Sequence, residues 1–195
     1  MRCLPPRGGS WGIAVASWSN IARRIRVPLG FALAAFYLWA GRPTGASILL
    51  GAVIAIPGLA IRGLASGHLQ KNEQLATTGP YARTRNPLYL GSLVLAAGFA
   101  VAGRSWWIAI ALILIFLAIY IPVIRAEEAF LRGRFPQYAE YASQVPRLLP
   151  RLSTSNSAQG KFSWDLYWKH REYNATLGFL GMMTALAVKL FWVPR

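Results

Sequence analysis

"SWWIAIALILIFLAIYIPVI", Ser105–Ile124, runs for twenty residues without a charged side chain. About twenty apolar residues, rising ~1.5 Å each, cross a hydrocarbon layer ~30 Å thick. The rest of the chain points the same way. Its 195 residues are 55% hydrophobic and only 14% charged, where a soluble domain carries roughly 25% charged residues. Further uncharged runs cover Val27–Gly41, Pro43–Ile61, Leu88–Gly103 and Asn174–Val188. Some are short for a full span, and flanking Arg and Lys can snorkel to extend them. A soluble bundle of buried helices is the competing reading, and this composition fits it poorly. The pattern therefore predicts an all-α integral membrane protein with about five transmembrane helices. They are expected at 27–40, 46–61, 88–102, 105–124 and 174–192, in a single membrane domain covering 1–195.

The net charge of +15 taken alone suggests nucleic acid. Its distribution argues against that partner. Five spans place the N-terminus and the loops 62–87 and 125–172 on one side. That side holds 17 of the 21 Lys and Arg, leaving Arg42, Arg104, Lys189 and Arg195 for the other. Positively charged loops stay in the cytosol, so the N-terminus and both long loops are expected there. Anionic lipid headgroups are the natural partner for that charge. The single cysteine, Cys3, excludes an internal disulfide. His68 and His170 are too few for a histidine metal cluster, and no metal is expected.

Segment 11–22 reads as an interfacial helix before the first span, since "WGIAVAS" is too short and poorly flanked for a signal peptide. "STSNSAQG" (153–160) reads as a linker. "FSWDLYWKHREY" (162–173) mixes charges with Trp164, Tyr167, Trp168 and Tyr173, as a helix lying in the interface does.

Two stretches carry the chemistry. The first is "GPYARTRNPLYLG" (79–91), at the polar edge of an apolar run. Pro80 and Pro87 fix φ and remove two donors, and push Gly79 and Asn86 toward extended backbone. A stiff loop with free carbonyls is expected at the membrane face. Arg83 and Arg85 then point the same way, and Gly91 allows a backbone or ligand to approach closely. The second is "RAEEAFLRGRFPQYAEYASQVPRLLP" (125–150). Glu127 and Glu128 sit about 100° apart on a helix. One can face inward while the other pairs with Arg125 or Arg132. The plainer alternative is a solvated helix end with local ion pairs.

In order, and separated by a helical hairpin, these two stretches resemble the integral-membrane methyltransferase superfamily. It includes isoprenylcysteine carboxyl methyltransferases and phospholipid N-methyltransferases. The resemblance covers residues 79–150. It implies S-adenosylmethionine bound at the cytosolic face, and a lipid or lipidated methyl acceptor in the membrane. It assigns Tyr81, Asn86, Pro87, Tyr89, Gly91, Glu127, Glu128, Tyr138 and Tyr141 to the cofactor site. Arg85, Glu127 and Glu128 are the expected catalytic residues, and Arg85, Arg147 and Arg171 the expected acceptor contacts. Asn86 departs from the family's usual histidine; it can hydrogen-bond but cannot titrate near neutrality. Carboxyl O-methylation of an isoprenylcysteine-like group is favoured over phospholipid amine N-methylation. The rival readings are a membrane reductase using NADPH and a non-enzymatic scaffold or transporter. A transporter is expected to bury charge inside its spans, and the five runs contain none.

Overall fold

The computed structural model describes residue 28 and residues 30–70, 73–151 and 160–192. The interfacial helix expected at 11–22 and nearly all of the linker expected at 153–160 lie outside the described residues. Those described are all helical, with no strand. The elements are α1 (Gly30–Ala40), α2 (Gly45–Ser66), a 3-10 turn (Gly79–Ala82), α3 (Pro87–Gly103), α4 (Trp106–Arg134), α5 (Tyr138–Gln144), α6 (Trp164–Lys169) and α7 (Tyr173–Trp192). Three of these, α2, α4 and α7, are long and apolar enough to cross a membrane; α1 and α3 are shorter apolar helices.

Each boundary has a local cause. Thr44 opens α2 with a capping box, in which Thr44 and Ser47 satisfy each other's backbone N–H groups. Pro87 occupies the first turn of α3, where a missing N–H costs nothing. The Ser105–Ile124 run is helical as expected, but α4 does not stop at 124. It continues to Arg134 through a π-helical turn at Phe116–Tyr120. The residues past Ile124 are mostly good helix formers, and polarity alone does not end a helix. Pro136 does, by holding Phe135 at φ −122°, ψ 110°. The polar end of α4 is therefore a rigid rod rather than the loop expected from 125. Likewise α2 continues past 61 to Ser66.

Helices α2 and α3 form a hairpin joined by small residues. A Cβ on Gly58 would lie 2.7 Å from the Gly91 carbonyl oxygen, and one on Gly98 would lie 2.6 Å from that of Gly51. Such backbone contact is how apolar helices associate without a hydrophobic drive between them. The core beside the hairpin is Tyr37, Ala102, Ile108 and Leu186. There the Tyr37 hydroxyl donates to the Phe99 carbonyl at 2.8 Å, and Ser47 donates to that of Ala102 at 3.0 Å. Both bonds satisfy groups that lipid cannot. At the same end, Lys189 of α7 donates to the carbonyls of Leu38, Trp39 and Gly41, closing the C-terminus of α1. Exposed aromatics lie at both ends of the bundle: Trp39, Trp106 and Trp192 at this end, Trp164 and Trp168 at the other. Two such belts mark the two interfaces of a membrane protein.

Candidate functional site

The loop 79–86 is built differently from the expected extended strip. Gly79 takes a left-handed φ of +59°, and Pro80 leads a 3-10 turn. A side chain at Gly79 would also strike the His68 ring. The loop's carbonyls are not free. Tyr81 accepts the Tyr141 hydroxyl at 2.7 Å, and Arg83 accepts the Arg151 N–H at 2.9 Å. In return the Arg85 N–H donates to the Pro146 carbonyl at 2.9 Å, and the buried Thr84 hydroxyl donates to that of Leu148 at 3.1 Å. Residues 81–86 are thus laced to 141–151. Arg83 is exposed whereas the Arg85 side chain is largely covered, so the two do not share an environment.

This lacing surrounds Glu128. Its carboxylate is buried. Arg147 Nε reaches Oε1 at 3.1 Å and Oε2 at 3.0 Å, and Nη2 reaches Oε2 at 2.8 Å. Arg85 Nη1 lies 3.6 Å from Oε1. Asn86 Nδ2 donates to Oε1 at 3.3 Å and to the Arg147 carbonyl at 2.9 Å. Two guanidiniums and an amide offset what burial of a lone carboxylate would cost. Hydrogen bonding to Glu128, and then its charge, raise the Arg147 pKa. Asn86 therefore positions Glu128 rather than titrating.

Glu127 turns the other way. It is exposed and accepts the Tyr89 hydroxyl at 2.9 Å. The Tyr89 ring meets Tyr120 edge-on at 5.7 Å. Beside Glu128, Tyr138 is fully buried and packs edge-on against Tyr141. The Tyr138 hydroxyl and Arg85 Nε are both buried without an acceptor, and the Arg85 guanidinium lies close enough to the phenol to oppose part of the effect of burial on it. Burial raises the phenol pKa values of Tyr81, Tyr138 and Tyr141.

The structure thus brings together Tyr81, Arg85, Asn86, Tyr89, Glu127, Glu128, Tyr138, Tyr141 and Arg147. Pro87 is buried where α3 begins. Gly91 faces α2, where a Cβ would meet the Gly58 carbonyl and the Arg62 side chain; close helix packing explains it. Arg171 is exposed, with φ +53° in the turn before α7, and forms no ion pair with Glu127 or Glu128. Sequence reasoning missed Thr84, Tyr120 and an ion pair between Arg62 and Glu172, in which Arg62 also donates to Ser92. A lone arginine and a lone glutamate, each at the edge of an apolar run, were the available signal for that pair.

Two cavities adjoin these residues. One, of about 450 Å³, lies at the polar end of α4, between Arg125, Arg132 and Arg147. The other, of about 310 Å³, is apolar and lies between α1, α3 and α4, against Ala96, Ala100, Leu112, Phe116 and Tyr120. Among the described residues, no three His, Cys, Asp or Glu side chains come together as a metal site would require.

Comparison with known proteins gives an independent reading. The family model for phospholipid methyltransferase matches residues 38–138. That stretch includes the proline loop, both carboxylates and Tyr138, and stops short of Tyr141 and Arg147. The chain is 36% identical over 115 residues to the cobalt-zinc-cadmium resistance protein CzcN of Cupriavidus metallidurans, covering 58% of this chain and 52% of that one. It is 34% identical over 130 residues to the nickel-cobalt-cadmium resistance protein NccN of Alcaligenes xylosoxydans xylosoxydans, covering 64% and 61%. The match thus spans about half to three fifths of the length of these relatives. No solved structure matches the chain.

Proposed function

The chain belongs to the phospholipid methyltransferase family, and from that premise we propose that it transfers a methyl group from S-adenosylmethionine to a membrane-borne acceptor at the cytosolic face. The observation that carries this reading is the pair of opposite chemistries at the end of α4. Glu127 is an exposed carboxylate with no ion-pair partner among the described residues, a fit for an ammonium or sulfonium. Arg85 Nε and the Tyr138 hydroxyl are buried donors without acceptors, a fit for a carboxylate. The two buried donors serve a carboxylate on the acceptor, while Glu127 suits the cationic end of S-adenosylmethionine. When bound, it supplies an electrophilic methyl group on sulfur.

The chain's own residues then hold, orient and exclude water. The lacing of 81–86 to 141–151 fixes Arg85, and burial against Tyr141 fixes Tyr138, so little order is lost when a ligand arrives. The apolar cavity beside Tyr120 is a route for a hydrocarbon chain to approach Tyr89 and Glu127 without crossing water. A carboxylate acceptor needs no base, only a donor to aim it, and Arg85 is the residue for that task. We therefore place a carboxylate of the isoprenylcysteine type first. An amine acceptor must lose a proton, and Glu127 is the group exposed to receive it. That no cation among the described residues pairs with Glu127 favours this second reading.

The deciding experiment titrates purified protein in detergent with S-adenosylmethionine and, separately, with NADPH. It then follows labelled methyl into an isoprenylcysteine analogue and into phosphatidylethanolamine. Binding of S-adenosylmethionine with label in either acceptor is expected. Binding of NADPH alone would return the chain to the reductase reading, and binding of neither would leave a non-enzymatic membrane protein.

A further inference from the structure

Beyond Glu128, the polar end of α4 forms one wall of the 450 Å³ cleft. Ala129 and Gly133 keep it open, and a Cβ on Gly133 would meet nothing within 4 Å. Arg125 and Arg132 are seven residues apart, two helical turns, and so lie on one face of α4. Arg147 enters from the facing segment with half of its side chain exposed. Glu128 stands between Arg125 and Arg132 at helical spacing, but it is already held by Arg147 and Arg85. Among the described residues, neither Arg125 nor Arg132 has a carboxylate partner. Three guanidiniums thus line one cleft whose single acid is already matched.

Position narrows the ligand. Arg125 directly follows Ile124, where the uncharged run of α4 ends, so the cleft begins at the depth of the lipid headgroups. Guanidinium forks match phosphate oxygens in pairs, and basic pockets at this depth suit acidic lipid heads.

We propose that the Arg125–Arg132–Arg147 cleft binds the phosphate of an anionic phospholipid, which is held there and not methylated. This site is separate from the acceptor route beside Tyr120 and does not depend on methyl transfer. The chemistry it recognises is a phosphate anion, and the membrane source is favoured by where α4 leaves its apolar run.

The test uses the full-length protein in detergent and reads retained lipid by native mass spectrometry. Phosphatidylglycerol is expected to be retained. Phosphatidylcholine, whose choline cation faces the same arginines, should be retained at least several-fold less. The double variant Arg125→Ala, Arg132→Ala should lose roughly tenfold affinity for phosphatidylglycerol, as removal of charged hydrogen bonds does. Ala129→Leu, which fills the cleft and leaves every arginine in place, should lose it too and guards against a misfolded double variant. Arg83→Ala, on the exposed loop, should keep it. Equal retention of both lipids, or equal loss in Arg83→Ala, would reduce the cleft to a diffuse basic surface. Full displacement of phosphatidylglycerol by inorganic phosphate would make it a site for a soluble anion. Either result overturns the proposal.

Discussion

Arg147 holds Glu128 through two nitrogens, with Nε at 3.0 Å and Nη2 at 2.8 Å from the same carboxylate oxygen. The neighbouring Glu127 is left to a single tyrosine hydroxyl. Adjacent carboxylates have thus been separated, one neutralised within the fold and one presented outward. We predict that Glu127→Gln or Glu128→Gln weakens S-adenosylmethionine binding more than Glu140→Gln, on the exposed face of α5. A charged hydrogen bond contributes roughly 1.5–3 kcal/mol, so calorimetry should show at least one of the pair losing about tenfold affinity or more. Unchanged affinity in both would leave Glu128 a structural ion-pair partner and Glu127 a solvated carboxylate at the helix end.

Buried Tyr81 and Tyr138 and half-buried Tyr141 give a pH dependence. Burial raises the phenol pKa values of Tyr81, Tyr138 and Tyr141 above their unfolded value of 10.0. At Tyr81 the nearby Glu127 charge is the second cause. A raised pKa means that the folded state keeps a proton which the unfolded state releases. The stability these groups contribute is full below about pH 10 and falls as pH rises beyond it. Melting temperature in detergent should drop between pH 9 and about pH 11, and Tyr141→Phe should flatten the drop. A slope unaltered by Tyr141→Phe would assign the alkaline loss to other groups.

The span at 105–124 and the bounds of α3 were legible because an uncharged run and a proline are local signals. The end of α4 was not, since 125–134 is polar and helical at once and hydropathy reads only the first property. In the site, motif order pointed to Arg85, Asn86, Glu127 and Tyr138. It did not point to Arg147 as the partner of Glu128. That pairing depends on residues 146–151 crossing the loop at 83–86, a register set by hydrogen bonds between segments some sixty residues apart. At Gly91 the motif allowed either a backbone or a ligand, and only Gly58 of α2, the other half of the contact, identifies it as helix packing.

The 17-to-4 division of basic residues predicts that the site faces the cytosol. In a Cys3-free background, Ser143→Cys on exposed α5 should react with an impermeant maleimide only after the cell is opened. Labelling of that position in intact cells would invert the topology and move the proposed cofactor site to the wrong compartment.

Lys189 joins α7 to α1 by donating to three carbonyls in and just beyond the last turn of α1, including Gly41 at 2.8 Å. A cation at a helix C-terminus contributes about 0.3–1 kcal/mol, and more where partly buried. Lys189→Met removes the charge and leaves those carbonyls without their shared donor. The expected result is a lower melting temperature with unchanged cofactor affinity, since Lys189 lies at the opposite end of the bundle from Glu128. A variant that melts as the parent does would mean that water or lipid headgroups cap α1 equally well.

Arg85 offers the sharpest test of the assignment. Its guanidinium is largely buried, lies 3.6 Å from Glu128 through Nη1, and leaves Nε without an acceptor beside the Tyr138 hydroxyl, which also lacks one. An arginine fork can address a carboxylate through two parallel donors, whereas a lysine offers a single point of charge. Arg85→Lys keeps the positive charge near Glu128 and loses the fork. We predict that it lowers turnover or raises the acceptor's KM while leaving S-adenosylmethionine affinity nearly intact. Arg83→Lys, exposed on the same loop, should change neither. The two outcomes separate cleanly because the orphaned donors suit a carboxylate from either reactant. If Arg85→Lys abolishes cofactor binding in a protein that still folds, the orphaned pair holds the cofactor's carboxylate instead. The acceptor's anchor must then be sought along the apolar cavity beside Tyr120, where Ser92 is a polar side chain on the wall.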